Sequence, residues 1–384
     1  MANEATADNN FCLFSCHLSD AGLFPFNFAR ICVKPNVTEE EVHKLSLRSL
    51  YRPPPESTIP FIGEAAFNNS TSVASVGSLV FCLGGYAKNT LTNKVTMFNA
   101  SSPEFKLISI CNMIMPRQSP ATISSRGILY VFGGLPPDKK KTKKKSTPWA
   151  EYLNTTVPKI EQKWMPLDIP LSLVSMISRP FVIPYNQSAT VFLIGCRRHL
   201  NHGAILFDTT DMSFKEFNTM PLIYSCHPIT VVVDRTMYWI DGKYLEAYDF
   251  DNHFGYSALT SDSVLSDFGH RFTNKNWGPL LVHLDKNLFC FFTMYCYQDL
   301  DDSALHRVVE CTKFRATKVI DDMSCKDGHL DLELVGYQSY QCDWLLALHG
   351  VLPMYARLGG SKKQHREGTR GGSHCVLDAV GIIT

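Results

Sequence analysis

Four basic side chains crowd into the segment GCRRHLNHG, directly after an apolar, strand-like run. They are Arg197, Arg198, His199 and His202. Arginine and histidine donate hydrogen bonds to anionic groups, and loops carry many of the binding residues of proteins. We therefore expect a cationic surface for a binding partner in this segment, with an ordinary polar loop as the alternative.

Cysteine and histidine occur together near the N-terminus, where Cys12, Cys16 and His17 resemble half of a zinc site. No second half with ligand spacing follows, so we predict no metal site. Most of the 13 cysteines lie in apolar runs, as Cys82 and Cys290 do, which favours buried thiols in a reducing compartment. No Ser–His–Asp or paired-carboxylate set stands out, so we predict no catalytic residue and no cofactor.

The charge balance points to no polyanionic partner. Lys and Arg total 37 against 36 Asp and Glu, which favours neither nucleic acid nor an anionic membrane. The run KKKTKKK at 139–145 is either a nuclear import signal, a contact for an acidic partner or a solvated loop insert. The opening residues lack a basic n-region, and no apolar run approaches the ~20 residues of a membrane helix. We expect a cytoplasmic or nuclear protein.

Short apolar runs that end in glycine recur along the chain and supply the elements that would position such loops. The runs SLVFCLGG, ILYVFGG, TVFLIG and TMYWIDG end at Gly84-Gly85, Gly133-Gly134, Gly195 and Gly242. The spacing is about 50 residues, as in repeat proteins of that period. The longest interval contains the insert PPDKKKTKKKSTP at 136–148. Glycine permits the positive-φ turn that we expect at these positions.

Each glycine turn is followed by an aromatic strand and then by a strand with Trp or Phe. Tyr152 in AEYLNT and Trp164 before Met165-Pro166 are the clearest examples. Four short strands in about 50 residues indicate one blade of a β-propeller, because such a blade is apolar on both faces and must pack between two others. We predict an all-β propeller of six blades, with seven as the alternative.

The two ends of the chain are less regular. FCLFSC at 11–16 is similar to FCFFTMYC at 289–296, so residues 1–60 are expected to hold a degenerate unit and a Pro-rich joint within the ring. Residues 61–350 are expected to form the propeller, with one more inner strand at 342–350. Residues 351–384 are expected to be a disordered tail.

The repeat resembles the kelch repeat. The unit at 115–165 matches it best and carries the family's characteristic positions at Arg117, Gly133, Gly134, Tyr152 and Trp164. The unit at 79–125 carries Gly84 and Gly85, and later units drift from the pattern. The resemblance implies a kelch-type propeller whose loops bind a partner.

The repeat pattern of the chain most resembles that of the divergent F-box/kelch proteins of plants. In those proteins an N-terminal F-box recruits a ubiquitin ligase and the propeller holds the substrate. The first 60 residues lack the Leu-Pro-rich pattern that opens an F-box. The resemblance therefore implies a non-catalytic protein-binding scaffold or substrate-recognition propeller, with ligase subunits as candidate partners through another chain.

Kelch folds also host enzymes, and a metal-dependent or other small-molecule enzyme is the alternative. A galactose oxidase-like site needs Tyr, His and a Tyr–Cys crosslink, and no motif selects such a set. The plant specifier proteins carry iron ligands in the pattern E-x-x-x-D-x-x-x-H. Glu246, Asp249 and His253 fit it with the first spacing short by one. Alternation along a strand would direct Glu246 and Asp249 to opposite faces, which argues against this site.

Overall fold

The computed structural model describes much of the chain as short strands. It describes residues 9–16, 24–33, 57–58, 61–67, 70–87, 90–134, 148–170, 180–184, 190–195, 203–217, 230–233, 235–241, 244–252, 254–259, 280–298, 305–319, 327–341 and 350–354. The helical content of these residues is one 3₁₀ turn, Lys159–Glu161. None of them forms a helix with the length and hydropathy to span a membrane. The described chain is therefore all-β, as predicted.

The strands follow one another in chain order. The first ten are β1 (Asn9–Cys16), β2 (Phe24–Val33), β3 (Ser57–Thr58), β4 (Phe61–Phe67), β5 (Ser72–Val76), β6 (Leu79–Leu83), β7 (Tyr86–Ala87), β8 (Thr90–Leu91), β9 (Val95–Asn99) and β10 (Ile108–Ser109). The next eight are β11 (Ala121–Ser125), β12 (Ile128–Phe132), β13 (Ala150–Asn154), β14 (Trp164–Leu167), β15 (Pro180–Pro184), β16 (Thr190–Gly195), β17 (Gly203–Asp208) and β18 (Ser213–Phe217). The last nine are β19 (Thr230–Val233), β20 (Thr236–Asp241), β21 (Tyr244–Asp249), β22 (Phe254–Leu259), β23 (Leu280–Asp285), β24 (Leu288–Gln298), β25 (Leu305–Val319), β26 (Asp327–Gln341) and β27 (Gly350–Met354).

The strands assemble into antiparallel units of four. Unit I has the order β27-β1-β2-β4, so it combines the last strand with three N-terminal ones. Units II, III and IV are β5-β6-β9-β10, β11-β12-β13-β14 and β15-β16-β17-β18. Units V (β19-β20-β21-β22) and VI (β23-β24-β25-β26) belong to one larger sheet, because β22 pairs in parallel with β26, which also pairs with β3.

The first strands of the six units contact one another in a closed cycle. β5 lies against β11, β11 against β15, β15 against β19, β19 against β23, β23 against β27 and β27 against β5. The cycle closes through β27, which pairs with β1 from Asn10↔Met354 to Phe14↔Gly350. The two ends of the chain therefore hold each other in one sheet.

Unit III shows why the units pack face to face. In β12, Leu129 and Val131 face the core shared with unit II, whereas Tyr130 and Phe132 face the core shared with unit IV. All four side chains are fully buried. A strand that is apolar on both faces needs a neighbour on each side. Because the apolar side chains of β12 point alternately to the two faces, unit III must lie between two other units.

Similar cores join other neighbouring units. Phe28 of unit I meets Phe98 of unit II edge to face, with ring centroids 4.6 Å apart. Between units V and VI, Tyr238 packs against Phe289 at 4.7 Å within a cluster that also includes Phe314. Burial of these large rings stabilises the contact between units by about 25 cal/mol per Å² of apolar surface.

Two details differ from the sequence expectations. The sequence predicts a tail from 351, whereas β27 continues to Met354, and 342–349 lie outside the described residues. Cys82 is a buried free thiol as expected, but Cys290 forms a disulfide with Cys311 on the next strand, with the two Cα atoms 6.1 Å apart. This separation lies within the usual range for a disulfide.

Candidate interaction surface

One end of units II and III is built on the two double-glycine turns. Gly84 and Gly85 have φ of +66° and +84°, and Gly133 and Gly134 have φ of +64° and +68°. The first glycine of each pair donates its N–H to the start of the third strand, to Lys94 O at 3.0 Å and to Trp149 O at 2.9 Å. Only glycine adopts this backbone without strain, so the two turns share one conformation for one physical reason. We call this end the glycine end.

The buried side chain of Arg117 joins unit II to unit III at the glycine end. Its Nε lies 2.8 Å from Glu151 Oε1, and both side chains are 0% exposed. Its Nη1 donates to the carbonyl oxygens of Gly133 and Trp149, and its Nη2 donates to Pro148 O at 3.0 Å. Burial lowers the pKa of the Arg117 guanidinium, and the Glu151 carboxylate partly offsets that effect.

The Glu151 carboxylate completes this network. Its Oε2 accepts the N–H of Ile114 at 2.6 Å, and its Oε1 accepts the N–H of Met115 at 3.4 Å. A buried charge is tolerated only when it is paired and hydrogen-bonded, and this pair meets that condition through backbone groups and through the opposite charge. The Arg117–Glu151 pair therefore links unit II to unit III.

The remaining repeat positions fall in different places. Trp164 begins β14 and donates its Nε1–H to Cys111 O at 3.0 Å, so it also ties unit III to unit II. Tyr152 lies half-buried on β13 beside Tyr130, with ring centroids 6.1 Å apart. Gly195 is the last residue of β16, paired with Pro180 and Gly203, and Gly242 lies outside the described residues.

The segment predicted to form a cationic patch is not placed by the structure. Arg197, Arg198, His199 and His202 all lie outside the described residues, between β16 and β17. The lysine run 139–145 also lies outside them. Arg117 nevertheless contacts residues on both sides of that insert, Gly133 before it and Trp149 after it.

The iron-ligand pattern receives little support from the residues that are described. Asp249 is buried at the end of β21, and its Oδ2 lies 2.6 Å from Lys318 Nζ. Burial opposes ionisation of Asp249, but hydrogen bonds from Lys318 and from two backbone N–H groups outweigh it and lower the pKa. His253 lies outside the described residues. Within the described ranges, no group of three or more His, Cys, Asp or Glu side chains is placed to hold a metal ion.

The opposite end of the units repeats a different turn. The third strand of units II to V ends in an Asx residue whose Oδ1 accepts the backbone N–H two residues later, at 2.8–3.0 Å. These residues are Asn99, Asn154, Asp208 and Asp249. Asn and Asp favour such turns because the short side chain reaches its own backbone. We call this the turn end.

A second hydrogen bond fixes these turns to the two-residue turn between the first and second strands. Ala100, Thr155 and Phe250 donate their N–H groups to Ser78 O, Gly127 O and Arg235 O at 2.9–3.0 Å. In unit VI, Ala316 donates in the same way to Asn287 O at 3.0 Å. The repeated bond holds the turns of units II, III, V and VI together, so the turn end of these units presents fixed backbone to solvent.

Neighbouring units present their turn ends on the same side. Ser125 at the end of β11 lies 3.2 Å from Thr209 in the turn after β17, measured between their hydroxyl oxygens. Lys318 of unit VI reaches Thr236 of unit V at 3.0 Å and Asp249 beside it. The turn end is therefore continuous from unit III to unit IV and from unit V to unit VI.

Sequence reasoning missed the repeated Asx turn, although the chain carries its signal. Asn99-Ala100-Ser101 and Asn154-Thr155-Thr156 have the form of glycosylation sequons, and the structure gives them a turn-forming role. Ser101 and Thr156 supply the N–H groups that the Asn side chains accept. An Asn or Asp after an aromatic strand, about 50 residues from the next, would have located the turn end.

Comparison with known proteins adds no relative to this description. No protein-family model matches the sequence, and no curated protein is detectably similar to it.

Proposed function

We propose that the chain is a six-bladed kelch-type β-propeller that binds a protein partner at one end of its ring and catalyses no reaction. The closed cycle of first strands carries this proposal. Six units of four antiparallel strands, apolar on both faces and joined end to end by β27 and β1, are what a six-bladed ring requires.

The positions that carry the kelch resemblance support the same proposal. The double glycines lie between the second and third strands of units II and III, and Trp164 opens the outer strand of unit III. The Arg117 side chain links these two units through its ion pair with Glu151. In this proposal, the kelch positions build the frame, and the partner contacts the loops or turns that the frame holds.

A rigid ring favours binding because its loops are positioned before the partner arrives. Ordering a loop on binding costs free energy, and a preorganised surface avoids that cost. The turn end meets this condition in units II, III and V, because one backbone hydrogen bond and one Asx side-chain hydrogen bond hold its turns. We further propose a role as the recognition element of a ubiquitin ligase, with the ligase contact made by another chain, in the cytoplasm or the nucleus.

Affinity capture from a native extract tests the proposal. The tagged full chain is compared with a 1–349 truncation, which lacks β27 and therefore the strand that closes the ring. A specific protein that is retained by the full chain and lost with 1–349 is the expected result, and co-recovery of ligase subunits would add the degradation role. Recovery of nothing above the 1–349 control would contradict the proposal, and metal analysis of the purified protein would then test the enzyme alternative.

A further inference from the structure

One turn at the turn end differs from its equivalents in the direction of its apolar side chain. In unit II, Phe105 stacks against Phe28, with ring centroids 6.1 Å apart, and in unit V Phe250 is only 3% exposed. In unit IV, Met212 packs against the core shared with unit III. In unit III, the equivalent turn, residues 155–163, holds Ile160 with 94% of its surface exposed. Phe250 is buried, and Phe105 and Met212 are partly buried, whereas Ile160 extends into solvent.

The 155–163 turn is held in place by its own hydrogen bonds. Thr155 Oγ1 donates to Gly127 O at 2.7 Å, and Gln162 Nε2 donates to Val157 O at 3.1 Å. The Glu161 N–H closes the 3₁₀ turn on Pro158 O at 2.8 Å. Ile160 sits at the centre of this 3₁₀ turn, so its exposure follows from a defined backbone conformation.

The charges around Ile160 favour an acidic partner. Lys159, Glu161 and Lys163 are all exposed, which gives the 155–163 turn a net charge of +1 from two lysines and one glutamate. Arg126 and Gly127 form the two-residue turn between β11 and β12. Gly127 O accepts the hydrogen bonds from Thr155, so Arg126 lies next to the residue that holds the 155–163 turn. The isoleucine therefore stands in a turn with a net positive charge, and complementary potentials raise both specificity and association rate.

We infer that Ile160 is the anchor of an interaction surface for a protein that offers an apolar pocket bordered by carboxylates. Ile160 fills the pocket, and Lys159 and Lys163 face the carboxylates at its rim. A central apolar anchor with a charged rim is the arrangement that carries most of the affinity in protein interfaces. This inference rests on the proposed function and names the face and the chemistry of the partner.

Photocrosslinking in the full chain tests the inference. A benzoylphenylalanine at position 161, which leaves Ile160 and both lysines in place, is irradiated in a native extract, and the adduct is competed with excess chain that lacks the photoreactive group. The competitors are the unmodified chain, Ile160→Ser, and Leu107→Ser as the matched control, because Leu107 is also an exposed apolar residue at 37% exposure. Both substituted residues are exposed, so the thermal midpoints of all three competitors should agree.

We expect the unmodified chain and Leu107→Ser to abolish the adduct at the same concentration. Ile160→Ser should need about tenfold to a hundredfold more, because it loses the burial of an isoleucine side chain. Equal competition by Ile160→Ser, or no competable adduct at position 161, overturns the inference. If affinity capture with the full chain still retains a partner in that case, the proposed function survives and only the anchor is wrong.

Discussion

Gly134→Ala is the substitution for which the structure sets the clearest cost. Gly134 has φ of +68°, and a Cβ there would lie 2.6 Å from Gln118 O and 2.9 Å from Pro120 Cα. Both of these atoms are backbone, so they cannot move aside as a flexible side chain would. Gln118 also donates its N–H to Gly134 O at 2.6 Å, and a shift of residue 118 would disturb that bond.

The cost of Gly134→Ala has two parts. A left-handed backbone costs an L-residue about 1–2 kcal/mol relative to glycine. The forced displacement of neighbouring backbone adds about 1–3 kcal/mol of local strain. The sum of about 3 kcal/mol lowers the thermal midpoint of a 384-residue chain by about 4 °C, taking about 2.1 cal/mol/K of unfolding entropy per residue. Gly134→Val should lower it further, because a β-branched residue tolerates this backbone less well.

Gly255→Ala is the matched control for this substitution. Gly255 lies in β22, and a Cβ there would meet nothing within 4 Å. Its midpoint should stay within about 1 °C of the unmodified chain, because Ala in a strand restricts the unfolded chain more than Gly does. The measurement is differential scanning fluorimetry of the three proteins side by side. Equal midpoints for Gly134→Ala and Gly255→Ala would refute the close approach at the glycine end.

Three further predictions concern the Arg117–Glu151 pair and its surroundings. Arg117→Met should lower stability by about 3–5 kcal/mol in denaturant titration, and the double variant with Glu151→Leu should cost less than the sum of the single changes; additive losses would contradict a coupled pair. Burial, and then Tyr152, raises the pKa of Tyr130 to about 12. Its folded pKa lies above the unfolded value, so its contribution to stability is complete below about pH 10 and is lost toward pH 12. Tyr130→Phe should flatten that alkaline decline of the midpoint, and an unchanged slope would count against the burial. Deleting 137–147 should shift the midpoint by less than about 1 °C, because the contacts of Arg117 remain; a large loss would mean that the insert packs against the ring.

The strand pattern was the part of the fold that sequence could supply. The apolar strand runs and the double glycines located the second and third strands of units II and III. Burial on two faces requires apolar residues, and positive φ requires glycine, so both features can be seen in the sequence. The similarity of 11–16 to 289–296 was also informative. It relates β1 to β24, and each is the second strand of its unit.

The contacts that join the units could not be predicted. β27 completes a unit whose other strands lie at the other end of the chain. The sequence of 350–354 carries no local signal that its pairing partner is β1. Arg117 and Glu151 are 34 residues apart and become a pair only when two units meet. The exposure of Ile160 leaves no sequence signal either, since the corresponding turn of unit IV packs its apolar residue, Met212, against a core, whereas Ile160 is 94% exposed.

Amide exchange of β1 tests the closed ring most directly, because β1 pairs with β27 on one edge and β2 on the other. Deuterium uptake in peptides covering 9–16 should be compared between a 1–356 chain, which keeps β27, and a 1–349 chain, which lacks it. Ring closure predicts that the amides of 9–16 that face β27 are protected in 1–356 and exchange rapidly in 1–349. Equal protection in the two chains would show that β27 does not close the ring, and the proposed propeller would lose its sixth blade.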